Sequence, residues 1–147
     1  MHKLLLISVF GFMNTVAHAD WAEIGKTNEG TVYNDTSTIQ RNTDDTVKVW
    51  VLYDLTKTKE TEDRSYLSEK RLNDYDCNTE QVRTLTRFFF SGNMASGDMI
   101  YSTEVPSFWH MVEPASADYS NLNLACNGYY KVKSYAIRLF NRVIHLH

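Results

Sequence analysis

The alternation of hydrophobic and polar positions is clearest between Val47 and Leu55, which read V-K-V-W-V-L-Y-D-L. In an extended strand the odd-numbered residues of this stretch share one face. The other face carries Lys48, Trp50, Leu52 and Asp54. β-Branched and aromatic residues at a period of two are typical of strands. The stretch therefore predicts an inner strand of an antiparallel sheet, with a second face that is only partly covered.

Further strands are predicted on both sides of this one, at residues 20–26, 31–33, 65–77, 81–90 and 98–104. The threonine and phenylalanine content of residues 81–90 favours a strand over a helix. Regular alternation there would place Arg83 and Arg87 together on one face. Loops or turns are predicted where polar and glycine-containing stretches occur, at residues 34–37, 42–45, 57–64 and 91–97.

The C-terminal part of the domain is predicted to hold one short helix. Residues 106–114 form a non-repetitive aromatic segment whose Trp and Phe are expected to plug an end of the sheet. Ser116 is a suitable cap for a helix that runs to about Cys126 and places Tyr119 and Leu122 on the same face as that cysteine. The fold class is therefore α+β, mainly β, with about six antiparallel strands in one sheet and a short C-terminal helix.

The N-terminus resembles a cleavable export signal. Lys3 is followed by an apolar run at residues 4–12, and Ala17-His18-Ala19 form a small-x-small cleavage site before Asp20. This pattern predicts a secretory signal peptide at residues 1–19, although a buried N-terminal helix or an uncleaved anchor is the alternative. Because no cysteine lies near the cleavage point, the exported chain is not expected to be a lipoprotein. Its expected location is the cell surface, the medium or the periplasm.

Two cysteines, Cys77 and Cys126, are present in the exported part. In an oxidising compartment two cysteines most simply form one intramolecular disulfide, with free thiols or an intermolecular bridge as alternatives. The predicted helix brings Cys126 to a position where it can tether the helix to the strand end at Cys77.

A basic extension is expected at residues 127–147, after a domain at residues 20–126. It contains Lys131, Lys133, Arg138 and Arg142 and no acidic residue. At helical spacing its polar and apolar residues fall on separate stripes. Such a segment is suited to docking on its own domain or a second copy, on a membrane surface, or on an envelope partner.

Composition and motifs argue against several classes of function. The 147 residues, 43% hydrophobic, suit one domain, and a net charge of −3 does not suit nucleic-acid binding. A Ser-His-Asp arrangement around His110 is disfavoured because the sequence has no G-x-S-x-G nucleophile elbow. The sequence also has no phosphate-binding glycine loop. Asp74 and Asp76 are expected to be solvated carboxylates rather than a glycosidase pair. His145 and His147 are too few to form a metal site. We therefore expect no catalysis, cofactor or metal.

Binding is the better interpretation of the basic and aromatic residues near Cys77. Arginine beside tyrosine or phenylalanine forms a good protein-contact surface, because rigid rings and forked donors lose little entropy on docking. The predicted protein-binding residues are Arg64, Tyr66, Lys70, Arg71, Arg83 and Arg87. The alternative is that these charges only solvate a sheet face. A periplasmic interaction module with an unknown partner is the alternative function.

Several short motifs, taken in order, resemble the bacterial surface-adhesin protein E family over about residues 21–126. They are Trp21, Tyr33-Asn34-Asp35 before Ser37, Thr38 and Ile39, Arg41, Val47–Leu52, Asp54, Tyr66, Ser68, Lys70, Tyr75-Asp76-Cys77, Gly97, Trp109, and Pro114-Ala115-Ser116 leading to Cys126. No single motif is specific, but their order and spacing together are distinctive.

The resemblance implies a sheet of about six antiparallel strands with a C-terminal helix tied to it by a disulfide. It also implies a homodimer and an outer-surface adhesin that binds host matrix and serum proteins such as vitronectin, laminin and plasminogen. The chain departs from the family pattern in having no lipidation cysteine and in carrying the basic extension.

Overall fold

The computed structural model describes residues 20–127, which form one antiparallel sheet with a helix against one face. The strands are β1 (Trp21–Lys26), β2 (Gly30–Arg41), β3 (Thr46–Thr61), β4 (Arg64–Asp76), β5 (Gln81–Phe90), β6 (Met99–Thr103) and β7 (His110–Met111), followed by helix α1 at residues 117–127. Residues 1–19 and 128–147, with the predicted signal peptide and nearly all of the predicted extension, lie outside the described residues. The predicted mainly-β fold is confirmed.

The sheet follows chain order from β1 to β6, and β7 pairs with β5 beside β6. β3 is an inner strand between β2 and β4, as the alternation predicts. Its Val47, Val49 and Val51 are at most 1% exposed and pack with Leu122 and Ala125 of α1. We call the side that α1 covers the helix face.

Capping and side-chain hydrogen bonds fix α1 on the helix face. The Ser116 hydroxyl accepts a hydrogen bond from the Tyr119 backbone N–H at 3.0 Å, which confirms the predicted cap. The Asn34 side chain donates to the Asn121 Oδ1 at 2.8 Å, and both residues are fully buried. The Arg41 guanidinium donates to the backbone oxygen of Ala125 at 3.0 Å. These bonds supply partners for some of the polar groups that packing removes from water, whereas Asn34 Oδ1 and Asn121 Nδ2 are buried without a hydrogen-bond partner among residues 20–127.

A disulfide joins Cys77, just after β4, to Cys126 of α1, with the Cα atoms 5.7 Å apart. Both cysteines are 1% exposed and belong to the core between sheet and helix. The intramolecular alternative is therefore confirmed, and the free-thiol and intermolecular alternatives are wrong.

Two stretches predicted as loops lie largely within strands, although residues 57–64 do contain the predicted hairpin connection. The charged run at residues 57–64 continues β3 and begins β4, and the hairpin turns only at Glu62 and Asp63, which both have positive φ. Such two-residue turns match the twist of paired strands. The polar residues 34–37 lie inside β2, where the pairing with β3 shifts between Asp35 and Gln40. Polar composition marked solvent exposure over most of residues 57–64, but Asn34 and Asp35 are buried, and in neither stretch did it mark the end of a strand.

The prediction that Arg83 and Arg87 share one face is wrong. Leu72 pairs with Thr86 but the next residue, Asn73, pairs with Thr84, so Leu85 has no cross-strand partner. One extra residue in a strand reverses the alternation that follows it. Arg83 therefore points away from the helix face, whereas Arg87 lies on it.

The aromatic segment does not plug the sheet as predicted. Phe108 is 95% exposed. Ser107 bonds to Thr84 of β5 through its backbone N–H and its hydroxyl, and His110 pairs with Val82. The segment therefore runs along the edge of β5 as an extended chain. Successive side chains of an extended chain point to opposite sides, so Phe108 and His110 share one side and Trp109 lies on the other.

Because tyrosines are buried beneath α1, we expect the protein to lose stability in alkaline solution. The Tyr53 hydroxyl donates to the Asp118 Oδ1 at 2.6 Å, and Tyr75 lies beside them. Burial and, secondarily, the Asp118 carboxylate raise the pKa of Tyr53, and burial raises that of Tyr75. Since the unfolded pKa is about 10, their stabilisation is complete below pH 10 and is lost as pH rises above it.

The test is urea unfolding between pH 8 and 11. Tyr53→Phe is expected to be less stable than the native protein at pH 8 and to lose stability less steeply above pH 10. Tyr33→Phe is the control, because the Tyr33 hydroxyl makes no hydrogen bond within residues 20–127. Equal slopes for Tyr53→Phe and the native chain would contradict the assignment.

Candidate binding face

The side of the sheet opposite α1 carries half-buried aromatic rings and cations. Cross-strand pairing aligns Trp21, Asp35 and Trp50 in one row, and Leu52, Lys70 and Phe88 in the next. A third row aligns Lys48, Asp74 and Arg83. We call the set Trp21, Trp50, Phe88, Trp109, Lys48, Lys70 and Arg83 the aromatic–cationic face. It contains all three tryptophans of the chain.

Lys70 lies at the centre of this face, between two indole rings. Its Nζ atom is 4.5 Å from the centroid of Trp50 and 5.6 Å from that of Trp21. The Trp50 ring also stacks on Phe88 with centroids 5.8 Å apart and an interplanar angle of 25°. Burial lowers the pKa of Lys70, and the Asp35 carboxylate opposes that shift. The cation and the rings hold one another in place through attraction between the charge and the ring quadrupoles.

Arg83 is held in a similar way at the disulfide end of the face. Its Nε and Nη2 atoms donate to the Asp74 Oδ2 at 3.1 and 2.8 Å, and its guanidinium lies 4.4 Å from the Trp109 ring centroid. The Asp74 side chain is 1% exposed, whereas that of Arg83 is 34% exposed. The carboxylate is therefore buried beneath the cation. Asp74 Oδ1 is buried and accepts no hydrogen bond from residues 20–127.

The predicted binding residues do not form one surface. Only Lys70 and Arg83 lie on the aromatic–cationic face. Arg71 is on the helix face, where it donates to both Glu69 carboxylate oxygens at 2.7 and 2.6 Å and lies 4.1 Å from the Tyr53 ring centroid. Arg87 is 3.7 Å from the same Glu69 carboxylate. Because Glu69 is 3% exposed, these two arginines balance a buried charge.

Arg64 and Tyr66 lie near the tip of the β3–β4 hairpin. Arg64 donates to the backbone oxygen of Ile100 in β6, and the Tyr66 ring packs edge-on against Phe89 at 5.0 Å. The sequence reasoning missed the tryptophans as candidate binding residues. The signal was present in β3, where Lys48 and Trp50 alternate with the buried valines.

The residues considered for catalysis are dispersed. His110 is exposed, and its Nδ1 is 3.3 Å from the Phe108 backbone oxygen. Asp74 is buried against Arg83, so the prediction that it is solvated is wrong, whereas Asp76 accepts backbone hydrogen bonds from Asn78 and Thr79. Within residues 20–127, no three His, Cys, Asp or Glu side chains are grouped to hold a metal ion. That part of the chain also has no helix long and apolar enough to cross a membrane.

Solved structures of protein E from Haemophilus influenzae share this fold. One crystal form aligns with 76% of this chain and 91% of its own at a TM-score of 0.58 and 14% identity. Another structure, from non-typeable Haemophilus influenzae, aligns with 80% of this chain and 82% of its own at a TM-score of 0.56 and 15% identity. No curated protein matches this chain in sequence. At sequence identities this low, the structural similarity shows a shared fold and nothing about function.

The family is given by the sequence match. The model of the family described as Surface-adhesin protein E matches residues 21–127. The match begins at the first tryptophan of the aromatic–cationic face and ends at the last described residue of α1, so it spans the whole described sheet and its disulfide. The chain therefore belongs to the surface-adhesin protein E family.

Proposed function

We propose that this protein is an exported, non-catalytic adhesin that binds host extracellular-matrix or serum proteins of the vitronectin, laminin and plasminogen class. The observation that carries the proposal is the aromatic–cationic face, a half-exposed set of rings and cations on the side of the sheet that α1 leaves uncovered. Membership in a family named for a surface adhesin supports the same conclusion.

The side chains of this face are ordered before any partner arrives. Lys70 is held by two indoles, and Arg83 by a carboxylate and an indole. Binding costs entropy for each side chain that it immobilises, so surfaces that are already ordered lose less. Tryptophan and arginine are also the side chains that most often dominate the energy of protein interfaces.

The proposal includes export through residues 1–19 as a cleavable signal peptide, a binding domain at residues 20–126, and a location on the cell surface. A homodimer and a contact between residues 127–147 and the membrane or an envelope partner are parts of the same proposal. The first test is antibody labelling of intact cells with a permeabilised control. Labelling of intact cells supports the adhesin, whereas labelling only after permeabilisation contradicts it and favours a periplasmic module.

Two neighbouring residues offer a matched test of the binding face. Trp109 packs on Arg83, while the adjacent Phe108 is 95% exposed and outside the face. Trp109→Ala is expected to weaken capture of immobilised vitronectin, laminin or plasminogen at least about tenfold, since truncating an anchor costs about 2 kcal/mol or more. Phe108→Ala is expected to bind as the native chain does.

Surface plasmon resonance on the mature chain measures this difference, with circular dichroism to verify the fold of each variant. Equal weakening by both substitutions, or none by Trp109→Ala, would remove the aromatic–cationic face from the proposal.

A further inference from the structure

The aromatic–cationic face has the chemistry to bind a polyanion with apolar faces of its own. We propose that it binds sulfated glycan chains of the host matrix, with sugar rings packed on the aromatic side chains and sulfates paired with Lys48, Lys70 and Arg83. This inference rests on the proposed adhesin function and names a ligand class for the same face.

The first support is the layering of charge. Two carboxylates that pair with residues of the face are buried: Asp74 is 1% exposed under Arg83, and Asp35 is 5% exposed and accepts hydrogen bonds from Ser37. Asp54 accepts hydrogen bonds from Asn93 and Met94. At Lys48, Lys70 and Arg83 the charge that reaches the solvent is therefore cationic. On the same side, the exposed Glu23 lies 3.9 Å from Lys26, and Asp76 accepts hydrogen bonds from the backbone of Asn78 and Thr79.

This local charge contrasts with that of the whole domain. All 18 acidic side chains of the chain lie within residues 20–127, together with only 10 of its 15 basic ones. Three of those ten cations, Lys48, Lys70 and Arg83, share one side of one sheet. A cationic surface on an acidic domain gives an anionic ligand one favourable orientation, because the rest of the surface repels it.

The second support is the arrangement of the rings. Trp50 and Phe88 lie within 25° of parallel, and Trp21 flanks the same lysine as Trp50. The face of a pyranose carries weakly positive C–H groups, which pack favourably on the negative face of an aromatic ring. Here the sheet and the cation–π contacts hold the rings before binding, so little rotamer entropy remains to be lost.

A sulfated glycan also satisfies the cations better than an apolar protein surface does. Covering Lys48 and Lys70 with apolar side chains would bury charges without counter-charges, which is costly. Sulfates bring those counter-charges, and the chain between them remains hydrated on its outer side. Arg83 Nη1, which donates no hydrogen bond within residues 20–127, is free to bind one sulfate oxygen.

Intrinsic tryptophan fluorescence of the native protein can report ligand binding at this face, because all three tryptophans belong to it. We expect size-defined heparin oligosaccharides to change the tryptophan fluorescence of the mature full-length chain in a saturable way, and the affinity to fall as salt is raised. The same oligosaccharides after chemical desulfation are expected to bind at least tenfold more weakly. Binding without a change in fluorescence, or equal affinity for both preparations, would overturn the inference.

A matched pair of double variants locates the site. Lys48→Gln with Lys70→Gln is expected to weaken heparin-oligosaccharide binding at least tenfold. Lys57→Gln with Lys59→Gln removes the same charge from the hairpin tip and is expected to leave the affinity within twofold. Equal weakening by both pairs would mean that only overall charge matters and would refute a built site.

The outcomes separate this inference from the proposed function. If the native chain captures matrix proteins through Trp109 but does not bind the oligosaccharides, the glycan inference fails and the adhesin proposal stands. If the oligosaccharides bind but intact cells are not labelled, the glycan site stands and the surface adhesin fails.

Discussion

Replacing Cys77 and Cys126 together with serine is expected to lower the free energy of unfolding by about 4 kcal/mol, the largest effect that we expect from a local change. The bridge joins residues 49 apart in sequence, and in the chain-entropy account a loop of about 50 residues restricts the unfolded chain by that amount. The two sulfur atoms also belong to the packed core between sheet and helix, so their loss removes buried apolar contacts as well.

Urea unfolding of the oxidised chain and the double serine variant measures this difference. Reducing the native chain provides the control, because the reductant is expected to lower its unfolding midpoint and to leave that of the variant unchanged. A variant as stable as the oxidised protein would show that packing alone holds α1 on the sheet.

Gly30→Ala is expected to destabilise the domain by about 3 kcal/mol, the upper part of the usual range for overpacking. A Cβ atom at this position would lie 1.9 Å from the backbone oxygen of Asp54 and 2.8 Å from the Cα of Leu55. Those atoms belong to the neighbouring strand β3, whose backbone cannot rotate away as a side chain can. The substitution must therefore separate β2 from β3 at the position where Gly30 pairs with Leu55.

Gly25→Ala is the matched control, since a Cβ atom there would meet nothing within 4 Å. We expect its stability to lie within about 0.5 kcal/mol of the native value. Thermal and urea unfolding of the two alanine variants measure the contrast. Similar stabilities would mean that the close approach of Gly30 to β3 is not a constraint in solution.

Both substitutions are expected to lower stability by weakening the contact between neighbouring elements, α1 with the sheet in one case and β2 with β3 in the other. The second of these contacts also matters for binding, because the sheet aligns the residues of the binding face. The rows of the aromatic–cationic face run across strands, from Trp21 in β1 through Trp50 in β3 to Phe88 in β5. Their alignment depends on register, which β2 transmits between β1 and β3. A variant that shifts β2 is therefore expected to disturb this surface without touching any of its residues.

Much of the fold was predictable because it depends on local patterns. The period of two in β3 identifies an inner strand, and the polar group at Ser116 identifies a helix start. Two cysteines in a chain that is predicted to be exported favour an intramolecular disulfide without any knowledge of the sheet. Each of these inferences needs only the side chains of a short segment and the solvent that surrounds it.

The candidate site was predictable only in part, since Lys70 and Arg83 were named but the three tryptophans were not. Arg71 and Arg87 were grouped with them wrongly, because a strand that alternates regularly would have placed Arg83 and Arg87 together. The unpaired Leu85 reverses that alternation. Bulges arise from pairing with a neighbouring strand and leave no clear signal in the sequence of one strand.

The sequence by itself indicated most of the strands but not their bounds, and it predicted the two faces of β3, the helix cap and the chemistry of the disulfide. Tertiary structure alone decided which face α1 covers, where β5 bulges and which cations remain on the open side with Trp21, Trp50 and Trp109. The physical reason is range: alternation and capping depend on residues a few positions apart, whereas register and coverage depend on contacts between distant segments. Asn34 and Asn121 illustrate this. Nothing in the sequence near either residue indicates burial, yet in the folded protein their side chains form a buried hydrogen bond with each other.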